Sequence, residues 1–315
     1  MSTAKSIASS EGRSESSDAR ARIALIGYGE VGQTVAADFG AAGMDDISVW
    51  DKLFADSSSE PSRAATLYNH VRPVGNMREA LARRTIIISA VTAANCLAAA
   101  SEAAASITPQ AFYFDLNSVS PRTKSEAAAV IEAAGGRYVE AAVMSAIAPR
   151  RTASRMLIGG PHAETFAPLA RAIGFIGVEV FDASIGRASA TKICRSVMVK
   201  GLEALITESL LAARCHGVVG PVIESLRDLF PNEDLERKER YLISRSLQHG
   251  NRRAEEMKEA ARAVAEVGIE PLMSFACAKR QEWAAAHRPA SAPESLSEFL
   301  DALLIAARAK SPESA

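Results

Sequence analysis

Aromatic side chains are scarce, with only 5% of the 315 residues being Phe, Trp or Tyr. Charge of one sign is lacking too: 36 Lys and Arg against 37 Asp and Glu leave a net charge of −1. No basic stripe or aromatic platform is visible, so the sequence offers nothing for a nucleic acid or an anionic membrane surface. Cys96, Cys194, Cys215 and Cys277 fall at no metal-ligand spacing, and no metal site is expected. No apolar run approaches the roughly 18 residues needed to span a bilayer. The N-terminal segment has no apolar leader, which points to a cytoplasmic protein with free thiols. There is no internal repeat.

Alanine is plentiful, especially in the second half, as suits closely packed helices. The length exceeds one typical domain of about 100–200 residues, so two domains are expected. Residues 1–20 are Ser-rich and charged and read as a disordered tail. From residue 21 short apolar runs alternate with helical stretches. Ile23–Ile26, Ile47–Trp50, Thr85–Val91, Phe112–Asp115 and Gly136–Glu140 read as strands. Strands separated by helices of this length predict a parallel α/β sheet of Rossmann type over 21–185. After Gly186 the strand signals stop. Helices are expected at 189–217, 221–229, 234–248, 251–267, 271–286 and 295–309, forming an all-α domain over 186–315 joined by a long interdomain helix. Ser295 and Glu298 form a capping box at the start of the last one.

Gly27-Tyr28-Gly29-Glu30-Val31-Gly32 matches G-x-G-x-x-G between the first strand and the first helix. The first glycine permits a tight turn, the second lets a pyrophosphate approach, and the third lets helix and strand pack closely. The helix N-terminus then offers free N–H groups to phosphates. Asp51, 19 residues after the last glycine, ends the second strand and accepts the ribose 2′-hydroxyl, which favours NAD over NADP. Lys52 and Ser57-Ser58-Ser59 offer a phosphate an alternative nearby, and a bare turn-capping role for Asp51 stays open. The cofactor set is completed by Val91 and Thr92, at the end of the 85–91 strand.

Three further segments carry a resemblance to the β-hydroxyacid dehydrogenase family, which includes 3-hydroxyisobutyrate, tartronate semialdehyde and 6-phosphogluconate dehydrogenases. Asp115-Leu116-Asn117-Ser118-Val119-Ser120-Pro121 resembles the D-x-S-T-x-S-P loop. Glu140-Ala141-Ala142-Val143-Met144-Ser145-Ala146 occupies the place of D-A-P-V-S-G-G, and Gly186-Arg187-Ala188-Ser189-Ala190-Thr191-Lys192 that of G-x-G-x-x-x-K. Lys192-x-x-Arg195-Ser196-x-x-x-Lys200 and His249-x-x-Arg252-Arg253-x-x-Glu256-Met257 look like a phosphogluconate dehydrogenase-like sub-branch with no single assigned substrate.

Read alone, Lys192 is an ordinary solvated helix lysine; the resemblance makes it the catalytic residue. Alcohol oxidation needs a group that takes the hydroxyl proton as hydride leaves carbon, and the reverse reaction needs an acid. A lysine fills either role and stabilises the oxyanion. Ser196 and Lys200 share its helical face. Lys200 binds substrate or pairs with Glu203 or Glu256. Ser118 and Ser120 bind ligand or cap the next helix. His249 and Arg252, with Arg253, clamp a carboxylate or phosphate or form a solvated face.

Departures from the family fall on substrate contacts: Met144 replaces its serine, Ser145 and Ala146 its two glycines, and Ser196 its asparagine. Glu255-Glu256-Met257-Lys258-Glu259-Ala260 replaces K-D-L-x-L-A and loses a substrate-binding lysine. Met144 points to a substrate bulkier than tartronate semialdehyde. The expected activity is oxidation of a 3-hydroxy acid or hydroxymethyl compound with NAD or NADP, with a homodimer through the helical domain. The rivals are an imine reductase, which usually lacks the lysine, and a non-catalytic NAD-binding sensor.

Overall fold

Short apolar runs become strands buried on both faces, which is why they read as continuous rather than alternating. The computed structural model describes residues 22–309 apart from 146, 148–149, 228, 230, 232–233 and 290–291; the tail expected over 1–20 lies outside them. Among the described residues, β1 (Ile23–Ile26), β2 (Ile47–Trp50), β3 (Val71–Pro73), β4 (Ile86–Ser89), β5 (Phe112–Asp115), β6 (Arg137–Val143), β7 (Met156–Gly159) and β8 (Val178–Asp182) form one sheet. Its order is β3-β2-β1-β4-β5-β6-β7-β8. Only the β6–β7 pairing is antiparallel.

The strand order reverses between β1 and β4, and in open sheets the crevice beyond the carboxyl ends at such a point is where ligands bind. Several of the scarce aromatics pack around β5. Phe114 packs on Phe166 and Phe175 on one face, with centroids 4.7 and 5.3 Å away. Tyr113 stacks on Tyr138 on the other, at 5.9 Å.

Helices α1 (Glu30–Ala41), α2 (Glu60–Ala65), α3 (Met77–Leu81), α4 (Cys96–Ala104), α5 (Pro121–Ala133) and α6 (Ala163–Ala172) are interleaved with the strands. Strands β3, β7 and β8 are not anticipated by the apolar pattern. β3 has only three residues, and β8 is an edge strand with alternating exposure. The β6–β7 connection holds a 3₁₀ turn rather than a crossover helix, so β7 returns antiparallel.

Beyond Gly186 come α7 (Arg187–His216), α8 (Val219–Ser225), α9 (Leu235–Glu266), α10 (Leu272–Ala286) and α11 (Leu296–Arg308). The two helices expected at 234–248 and 251–267 are one helix, α9. Gly250 lies inside it, and a side chain there would come within 2.3 Å of the Gln281 carbonyl of α10. The glycine is needed for close helix contact. α7 leaves the sheet along β6 and β7, and α9 crosses back to touch α5 and residues 93–95. Among the described residues no helix is long and apolar enough to cross a membrane.

Candidate active site

The three turn glycines each answer a different constraint. Gly27 has φ +88°, and a Cβ there would lie 2.4 Å from the Ala90 carbonyl oxygen. A Cβ on Gly32 would lie 2.2 Å from the Gly27 carbonyl oxygen. Gly29 faces open space, with nothing within 4 Å of such an atom. It is also the N-cap of α1 and supplies no side-chain cap, so the first amide N–H groups of the helix face that space. This arrangement fits a dinucleotide: the turn is closed where chain meets chain and open where phosphate approaches.

Asp51 braces the turn with both oxygens. Oδ2 accepts from the Tyr28 amide at 2.7 Å and Oδ1 from the Leu53 amide at 2.9 Å. Tyr28 offers the turn only its backbone. Its ring is buried against Phe54, its phenol has no partner among the described residues, and burial pushes its pKa up to about 12. Val31 lies in the first turn of α1. Of the serines that offered an alternative phosphate site, Ser58 bonds Asp56 and Ser59 caps α2. Lys52 reaches across the end of β1 to Asn95 at 3.0 Å, and Asn95 bonds the hydroxyl of exposed Thr92. The Val91 amide donates to Asn117 Oδ1 at 2.7 Å.

Asn117 ties the two halves of the site together. Its Nδ2 donates to Ser89 Oγ at 3.0 Å and its amide to Asp115 Oδ1 at 2.8 Å. This holds the loop carrying Ser118 against the cofactor end of β4. Beneath it Asp115 and Lys124 form a fully buried ion pair at 3.1 Å, with Tyr138 Oη donating to Asp115 at 2.5 Å. The sequence gives Lys124 no mark; one lysine on a helix reads as solvated until the fold covers it.

Lys192 Nζ donates to Ser118 Oγ at 2.5 Å, joining the second turn of α7 to the loop after β5. Burial lowers the Lys192 pKa to about 8; Glu256 pulls the other way, and Lys124, Lys200 and Arg252 add to the lowering. Glu140 sets the direction of α7, since its Oε1 accepts from the amides of Gly186, at 2.8 Å, and Ala188, at 3.2 Å. Burial pushes the Glu140 carboxyl up, with Lys124 and these amides opposing.

Other residues singled out above fall into two groups. Met144 packs with Ala142, Leu157 and Ala188, one helical turn before Lys192. Ser145 is exposed beside it, Ser196 is half-buried one turn beyond Lys192, and Ala146 lies outside the described residues. Ser120 is engaged elsewhere: it caps α5 by accepting from the Thr123 amide and donates to Glu266 Oε1 at 2.6 Å. Arg253 is buried against Glu203 at 2.5 Å and leaves the cluster.

Glu256 is the residue that sequence reasoning underrates. It lies 2.8 Å from Lys200 and 3.9 Å from Arg252, and although burial opposes ionisation, these cations together with Lys192 hold its pKa below the usual range. Its signal was its place one turn after Arg252 on α9. Arg252 in turn lies 3.1 Å from Glu30, at the start of α1. His249 Nε2 accepts from Arg245, and burial, then the neighbouring arginines, lower its pKa.

Residues 22–186 match the family described as the NAD binding domain of 6-phosphogluconate dehydrogenase. Residues 213–284 match a domain of unknown function, DUF1932. A conserved hypothetical protein from Sinorhizobium meliloti is 32% identical, with a TM-score of 0.75 over 91% of this chain and 96% of that one. A conserved protein of unknown function, described as structurally similar to 3-hydroxyacid dehydrogenases, is 29% identical with a TM-score of 0.68, covering 90% of this chain and 99% of that one. The 3-hydroxyisobutyrate dehydrogenase of Mycobacterium tuberculosis, solved with L-serine, shares the fold at 19% identity and a TM-score of 0.65, covering 89% of this chain and 98% of that one.

Proposed function

The chain belongs to the β-hydroxyacid dehydrogenase family, 3-hydroxyisobutyrate and 6-phosphogluconate dehydrogenase-like, and on that premise we propose that it oxidises a 3-hydroxy acid or hydroxymethyl compound, or reduces the matching carbonyl, with Lys192 as acid and base. The observation that carries this reading is the Lys192–Ser118 contact, which sets a depressed lysine beside the carboxyl ends of β4 and β5.

A bound nicotinamide would exchange hydride with the substrate carbon. Gly29 and the first amides of α1 would hold its diphosphate, and Val91 and Thr92 flank the same crevice. Neutral Lys192 takes the hydroxyl proton on oxidation; its ammonium returns a proton and stabilises the developing alkoxide on reduction. Ser118 fixes the amine and shares the substrate oxygen. Met144, packed one turn before Lys192, supports a substrate with apolar bulk. Asp51 holds the Tyr28 amide from the end of β2, where its negative charge would repel a 2′-phosphate, and this supports NAD as the preferred cofactor.

The test is a screen of 3-hydroxy acids and hydroxymethyl compounds with NAD and with NADP, read by absorbance of the reduced nicotinamide, with Lys192→Ala alongside. Turnover is expected with NAD above NADP, and the variant is expected to lose about 10²–10⁴-fold in kcat while still binding cofactor. Turnover equal in both proteins would remove Lys192 from the chemistry. Tight NAD binding with no turnover across the panel would favour a sensor.

A further inference from the structure

Arg252 belongs to the helical domain, yet its partner is the first residue of the helix behind the glycine turn, with Nη1 3.1 Å from Glu30 Oε2. Both side chains are about half exposed, at 49% and 64%. An exposed pair of this kind adds little to stability, so its place in the fold is the informative property.

Glu30 is an awkward residue for a phosphate-binding turn. The start of a helix attracts anions through its free amides and dipole. A carboxylate in the first turn already answers that attraction and repels a diphosphate brought to the same amides. Gly29, the open side of the turn, immediately precedes it. The charge on Glu30 must therefore be balanced for the turn to accept a dinucleotide.

The balancing group comes from α9. Arg252 is steered by Glu256, 3.9 Å from its Nε, and Glu256 is itself anchored by Lys200 at 2.8 Å. An alternating chain of charge thus runs from the glycine turn to the face of α7 that carries Lys192. One turn before Arg252 on α9, His249 accepts from Arg245 at 2.9 Å.

We propose that Arg252 is a member of the dinucleotide site supplied by the other domain: it neutralises Glu30 so that the glycine turn accepts the diphosphate. This rests on the turn being the NAD(P) site. It makes cofactor affinity depend on how the helical domain sits against the Rossmann domain.

Dissociation constants for NADH and NADPH, read by nucleotide fluorescence on the full chain, test it with no turnover required. Arg252→Ala is expected to weaken binding about tenfold, and the loss shrinks at high salt because the effect is electrostatic. Arg252→Lys keeps most of the affinity and controls for folding. Glu30→Gln binds as tightly as the wild type or more so, and adding Arg252→Ala to it costs less than about twofold. Equal affinity of Arg252→Ala and wild type overturns the proposal. So does an undiminished loss in the Glu30→Gln background, which would make Arg252 a direct ligand contact or a structural residue. A wild-type protein that binds neither nucleotide fails at the premise instead and overturns both readings.

Discussion

At the scale of single residues, the proposed chemistry turns on the environment of Lys192. Ordinary lysine has a pKa near 10.4 and would be almost wholly protonated at neutral pH. Burial brings Lys192 down to about 8, with Lys124, Lys200 and Arg252 adding to the effect and Glu256 restraining it. With Lys192 as the proposed base, oxidation requires the free amine. Its rate is therefore expected to rise with pH through a limb near 8, while the reverse reduction, which needs the ammonium, falls over the same range. Initial rates in both directions across pH, at saturating cofactor, check this. A pH-independent oxidation rate between 6.5 and 9.5, a range set by roughly 1.5 units either side of that value, would contradict the assignment.

At the scale of elements, two devices hold Lys192 against Ser118. The first is the start of α7. Gly186 has φ +97°, and a Cβ there would sit 3.2 Å from Pro121. The Glu140 carboxyl accepts from the amides of Gly186 and Ala188, fixing the helix relative to β6. The second is the clamp joining α7, α9 and α10. Arg253 of α9 meets Glu203 of α7 in the interior, and Gln281 of α10 donates to the same carboxylate at 3.4 Å. Removing one partner of a buried pair leaves a charge uncompensated, at a cost of about 3–5 kcal/mol. Arg253→Ala is expected to lower unfolding stability by that amount in denaturant titrations. A loss below about 1 kcal/mol would show that Glu203 rehydrates or takes up a proton at little cost.

At the scale of the whole molecule, α9 spans the cleft. Its middle approaches the glycine turn through Arg252, and its last residue, Glu266, accepts from Ser120 and the Arg122 amide at the start of α5. Both contacts join the domains from one helix, so a shift of α9 moves its contacts with α1 and α5 together. On α7, Met198, Leu202 and Leu205 are exposed at 66%, 38% and 55% and recur at helical spacing. A stripe at this spacing is the kind of face that a second chain would bury. The homodimer expected from the family resemblance is proposed to cover it. Light scattering is then expected to give about twice the chain mass for the wild type and a monomer for Leu205→Asp. A monomeric wild type would dispose of this assignment.

The Rossmann strands around the glycine turn, the switch to helices after Gly186 and the place of Lys192 in a family motif can all be read along the chain. Each was legible because its cause is local. Runs of apolar residues are buried in register, glycines fill positions that reject a Cβ, and a motif fixes spacing along one chain. The rest came from packing between distant elements. That packing made Gly250 a contact between helices, buried Lys124 against Asp115, turned Ser120 to Glu266 and brought Arg252 to Glu30. Those outcomes depend on which charges the packing of distant elements brings within a few ångströms, and 222 residues separate Glu30 from Arg252 along the chain. A sequence window has no means of measuring that distance.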